Sequence, residues 1–205
     1  MFSINKKRLD YGKDYIMQIY SNNNNVQFGA RYVAPTSVKL KDAKKWKDVS
    51  VNFIKFETAK EDDRRTLDQV SRLWGGKNLS SAIADEANIL GGNAHIYGVT
   101  TQESNFDHVD PSQVLGFVST DKFTKKAGEI PIFKIGTNPK FAYEQNKRKR
   151  SIKHIATSMI EALKLTTYKK ANTKIVTQYA EPQEVKFLNK AGVEIKNSNI
   201  VEVLA

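Results

Sequence analysis

Two rhythms of apolar residues run through this chain: a period near two, which marks half-buried strands, and a period near 3.6, which marks amphipathic helices. Tyr15–Tyr20 and Val26–Val33 follow the first rhythm, and Ser21 with Asn22, Asn23, Asn24 and Asn25 between them reads as a hairpin loop. Ala34-Pro35-Thr36-Ser37 breaks the pattern, and a run containing Lys39, Lys41, Lys44, Lys45 and Lys47 around Trp46 follows. Residues 1–48 therefore read as an N-terminal basic extension with a β-hairpin. From Val49 the order becomes regular: a strand over 49–56, then a helix opened by Glu61, Asp62 and Asp63, where the helix dipole favours acids. Leu67, Val70 and Trp74 form its apolar stripe, and Gly75-Gly76 ends it. A second helix carries Leu79, Ile83, Ala87 and Leu90 and stops at Gly91-Gly92. Strands are predicted over 95–101, 114–120 and 130–137, with connections short enough for an antiparallel meander. After a long basic loop, Ile152, Ile155, Ala156, Met159, Ile160 and Leu163 share one helix face. A strand over 174–180, a helix from Pro182 to a stop at Gly192, and strands at 193–195 and 200–204 close the order.

Composition narrows the function classes. The chain has 205 residues, enough for one domain with decoration, and no cysteine. Disulfide frameworks, cysteine nucleophiles and cysteine-based zinc sites are excluded. His95, His108 and His154 show no metal-ligand spacing, so no metal is expected. The first residues lack an apolar leader, and no stretch reaches the ~18 apolar residues of a membrane helix, so the expectation is a cytoplasmic chain with no membrane partner. The net charge of +11 attracts phosphate, whether in a nucleotide cofactor or a nucleic acid. The lysine run with Trp46 inside it is one place where a base could stack; its bland reading is a solvated face anchored by one aromatic.

Two local motifs narrow this further. The first is His154-Ile155-Ala156-Thr157-Ser158-Met159-Ile160-Glu161-Ala162-Leu163-Lys164. The second is Phe187-Leu188-Asn189-Lys190-Ala191-Gly192-Val193. In this order of elements, the two resemble the cofactor and closing signatures of the GCN5-related N-acetyltransferase (GNAT) family over residues 49–205. The family's cofactor signature, Arg-x-x-Gly-x-Gly/Ala before an apolar helix, is met at Ala156, while His154 stands at the first glycine and Ser151 at the arginine. A side chain at 154 suits the turn only where the backbone avoids positive φ. In the closing signature Phe187, Lys190 and Gly192 match. Leu188 stands where many members carry a tyrosine that protonates the departing thiolate, and leucine cannot donate a proton.

The resemblance implies an α+β fold with a mixed, mostly antiparallel sheet flanked by helices, and acetyl-CoA (coenzyme A) as cofactor. It implies an N-acetyltransferase acting on an amine borne by a small molecule, a protein or an aminoacyl-RNA. The diphosphate would meet the backbone N–H groups of His154, Ile155, Ala156 and Thr157, where a helix start offers unpaired donors. Arg148, Arg150 and Lys153 in the preceding basic loop would add charge, and Ile135, Gly136 and Thr137 would face the pantetheine arm. An ordinary amine, with a pKa of about 10.4, must lose a proton before attack; Glu103 and Glu144 are the candidate bases. Tyr179, near a strand end, is the candidate replacement for the missing acid. The competing reading is a catalytically degenerate GNAT-fold module whose basic surface binds nucleic acid or a protein.

Overall fold

The computed structural model describes residues 29–75, 94–121, 128–141, 150–167, 174–178, 180 and 182–196. Its architecture is α+β: eight strands form one mixed, curled sheet, and three α-helices are seen among the described residues. Strands β1 (Arg31–Asp42) and β2 (Lys45–Phe56) form a long hairpin. Helix α1 (Glu61–Leu73) follows, then β3 (Ala94–Thr100), β4 (Val114–Asp121) and β5 (Glu129–Thr137) as an antiparallel meander. The two-residue β6 (Ile152–Lys153) leads into α2 (Ile155–Thr167). Then come β7 (Lys174–Thr177), α3 (Pro182–Ala191) and β8 (Val193–Ile195). The sheet order is β6-β1-β2-β3-β4-β5-β7-β8, antiparallel except for the parallel pairs β5–β7 and β7–β8.

Strand alternation sorts apolar residues into a core on each sheet face. Val51, Phe53, Tyr97 and Val99 turn toward α2, joining Met159, Ile160 and Leu163. Ile54, Phe56 and Ile96 turn the other way, onto Leu67 and Val70 of α1. On β4 the alternation slips: Val99 pairs with Gly116 and Thr100 with Val114, so Leu115 is an extra, bulged residue. The bulge puts Leu115 and Gly116 on the α2 side and returns Phe117 to the α1 side. Gly116 makes room for the helix. A Cβ there would lie 2.7 Å from the Ile155 side chain and 2.8 Å from that of Met159.

Two expectations change. The strand predicted to end at Val33 instead runs through Ala34-Pro35-Thr36-Ser37 to Asp42, and its Val38 is buried in the core. Proline is tolerated at 35 because β1 meets β6 only at Lys39 and Leu40, so its outer edge at Pro35 has no strand partner among the described residues. The described hairpin turns at Ala43-Lys44, where Ala43 takes φ +51°; the one expected at Asn22–Asn25, the strand over 15–20, the helix over 79–90 and the strand over 200–204 lie outside the described residues. Ile152 leaves the helix face assigned to it and pairs with Leu40, because the Lys41 amide donates to the Ser151 carbonyl (2.7 Å) and draws that segment to the sheet edge.

Candidate functional site

The site is assembled where β5 outruns its neighbour. β5 and β7 pair only through Glu129–Lys174, Ile130–Ile175 and Pro131–Val176. Pro131 has no N–H to contribute to a ladder, and β5 continues through 132–137 with no partner on its β7 side among the described residues. Such an edge presents backbone N–H and C=O groups for an added chain. Its other side is fully used: Ile135, Gly136 and Thr137 pair with Val118, Phe117 and Gly116 of β4. Phe133 is a bulged extra residue between Ile132 and Lys134, and the Lys134 amide donates to Ser119 Oγ (3.1 Å). Gly136 is needed there because the Phe117 ring lies where its Cβ would stand.

The start of α2 sits beside the far end of this strand. Gly116 touches both: it pairs with Thr137, and Ile155 and Met159 pack over it. The Asn138 amide donates to the Leu115 carbonyl (2.8 Å), closing β5 back on β4. The Ser158 amide donates to the His154 carbonyl (2.9 Å), so the amides of Ile155, Ala156 and Thr157 precede the first intrahelical donor. Ser158 holds the helix start in place. Its hydroxyl donates to the Ser37 carbonyl and lies 2.8 Å from the His154 carbonyl, and Thr36 Oγ1 donates to the Ser158 carbonyl (3.3 Å).

The predicted site residues divide accordingly. Ile155 and Ala156 are buried, so they can offer a ligand only backbone. Ile135, Gly136, Thr137 and Thr157 are half-buried. Lys153 pairs with Lys39 across β6–β1, and its ammonium lies 4.1 Å from the centre of the Trp46 ring. Arg150 precedes it, half-buried. His154 takes φ +69°, the left-handed turn in which glycine is the easy residue, so the condition that the backbone avoid positive φ is not met and the imidazole is carried at a cost. Its pKa is lowered, first by burial, then by Lys153, Lys39, Lys190 and Arg150. Those four cations mark a positive field at the helix start. Lys39 was hidden from sequence reasoning because only the β1–β6 pairing brings it there.

Glu103 lies exposed in the loop after β3, which Gln102 braces through bonds to the carbonyls of Ser104, Asn105 and His108. Nothing joins Glu103 to the α2 start among the described contacts. Glu144, Arg148 and Tyr179 lie outside the described residues. Leu188 is buried with Ala191 and Val193. A shallow groove of about 340 Å³ opens between β1 and α2, lined by Pro35, Thr36, Glu161 and Leu165, and it does not reach β5. Among the described residues no three His, Asp or Glu side chains gather as a metal site, and no helix is long and apolar enough to cross a membrane. No protein-family model, curated protein or solved structure matches this chain.

Proposed function

We propose that the chain is an acetyl-CoA-dependent N-acetyltransferase with a GNAT-like fold. The observation that carries the reading is the parting of β5 from β7 beyond Pro131, beside the open amides of α2. The element order supports it: a meander, a helix and a parallel strand follow one another as the resemblance implies. Backbone groups of Ile135, Gly136 and Thr137 would hold a pantetheine arm much as an added strand is held. The amides of Ile155, Ala156 and Thr157, with Arg150, Lys153 and His154, would receive a diphosphate.

Acetyl-CoA supplies the activated acyl group. The protein must orient it, donate to the oxygen on which charge develops, and let the attacking amine lose its proton. The bulge at Phe133 lies in the strand where a freed backbone N–H could serve that oxygen. The proton would pass through water or to Glu103 or Glu144. Buried Leu188 cannot serve the thiolate, so Tyr179 or solvent would.

Calorimetry with acetyl-CoA tests the reading directly. Micromolar to submillimolar binding is expected, weakened roughly threefold to tenfold in the Arg150→Gln/Lys153→Gln double variant, as lost charge-assisted bonds imply. Absence of heat at millimolar acetyl-CoA overturns it. If binding is found, release of free thiol with a panel of amines checks catalysis.

A further inference from the structure

The β1–β2 hairpin extends well beyond the sheet that carries it. β2 meets β3 only from Asn52 to Phe56, so residues 45–51 pair with β1 alone. From Leu40 to Ser50 every residue is exposed except Trp46, which is half-buried. The ribbon between Lys39 and Asp48 carries five lysines against two aspartates. Directly opposed residues of an antiparallel pair share a face, so Lys39, Lys41, Trp46 and Asp48 lie on one side and Lys45, Lys47 and Asp42 on the other. Lys39 pairs with Asp48 (3.0 Å) and Lys47 with Asp42. Lys41, Lys44 and Lys45 carry no ion pair among the described residues. Lys153 is held over Trp46, which extends the positive face to β6.

We infer that this ribbon is a binding surface for the phosphate backbone of a nucleic-acid duplex. Three features favour it over other polyanions. A two-stranded ribbon has the width that a duplex groove admits. Each face carries one lysine pair about 7 Å apart, Lys39 with Lys41 and Lys45 with Lys47, and Lys41, Lys44 and Lys45 cluster around the turn, where a groove's phosphates flank an inserted ribbon. Its tip is Ala43-Lys44, with no large apolar residue to enter a bilayer. Trp46, already covered on one face by Lys153, serves as the platform that fixes that cation. Lys153 belongs to both surfaces, but Lys41, Lys44 and Lys45 lie outside the proposed cofactor residues, so the ribbon does not rest on acetyl transfer.

Fluorescence anisotropy with a labelled 20-base-pair duplex, as DNA and as RNA, tests it across a salt series. The wild-type chain is expected to bind at 50 mM salt and to weaken steeply as salt rises. The Lys41→Gln/Lys44→Gln/Lys45→Gln variant is expected to lose at least tenfold in affinity and to lower the log–log salt slope by about 2 to 3. Tighter binding of DNA supports a ribbon seated in the wide major groove, and tighter binding of RNA supports one laid across A-form phosphates. Unchanged affinity and slope in the variant, or no duplex binding at 50 mM salt, overturns the proposal. So does equal binding to phosphatidylserine vesicles lost in the same variant. Unaltered circular dichroism and acetyl-CoA titration in the variant separate this result from misfolding and from the fate of the cofactor reading.

Discussion

Single residues set the geometry of the α2 start. His154 occupies a left-handed turn that costs a residue with a Cβ roughly 1–2 kcal/mol. His154→Gly relieves that strain but adds freedom to the unfolded chain, so chemical denaturation should show a gain of up to about 1 kcal/mol. The folded pKa of His154 lies below its unfolded value near 6.5. The unfolded chain therefore takes up the proton first as pH falls, and the site's stability, full above about 6.5, is lost below it. Inorganic pyrophosphate bound at the helix start would reverse the sign of the local field. An NMR titration of the His154 ring should then move its pKa upward, and an unmoved pKa would place the anion elsewhere. Gly116 offers a second test. Gly116→Val drives a branched side chain into Ile155 and Met159 and should cost about 1–3 kcal/mol in thermal or denaturant unfolding. Acetyl-CoA affinity should fall more in this variant than in an equally destabilised one remote from α2.

Among the elements, α1 carries a conflict that its sequence conceals. Asp63 reads as a first-turn acid suited to the helix dipole, yet it is only 2% exposed and accepts the Glu57 amide at 2.6 Å. Burial outweighs that hydrogen bond and the charge of Lys60, and raises its pKa to about 6. Between about pH 4 and 6 the folded chain holds the proton that the unfolded chain has released. Stability therefore declines across that window as pH rises and stays lower above it, by at most about 3 kcal/mol. Asp63→Asn keeps an acceptor for Glu57 and needs no charge. Thermal melts should show it more stable than the parent at pH 8, with the difference shrinking toward pH 4. The β1–β2 hairpin shows the opposite failure of legibility. Its turn at Ala43-Lys44 has neither glycine nor asparagine, so the usual two-residue hairpin signal is missing, and Pro35 looked like the end of a strand. α1 and the β3–β5 meander were legible to within a residue or two at most ends because each buries one face and must keep its period.

Across the whole molecule, charge and ligand act on one equilibrium. With a net charge of +11, self-repulsion opposes the compact state, and bound anions relieve it. Acetyl-CoA at a hundred times its dissociation constant should raise stability by about 2.7 kcal/mol, seen as a concentration-dependent rise in melting temperature. A rise matched by equal concentrations of inorganic pyrophosphate would assign the gain to charge alone. Local sequence sufficed for the period of most described elements, the stops at Gly75 and Gly192, the absence of thiol chemistry and the basic character of the surface. These follow from local backbone preference, alternation and composition, which need no distant partner. Long-range packing was needed to see that β5 outruns β7, that Lys39 and Lys153 meet across a strand pair, that Asp63 is buried and that Ile152 leaves its helix. Each depends on which segments pair across long sequence separations, and pairing is selected by the packing of the whole sheet rather than by any one stretch of it.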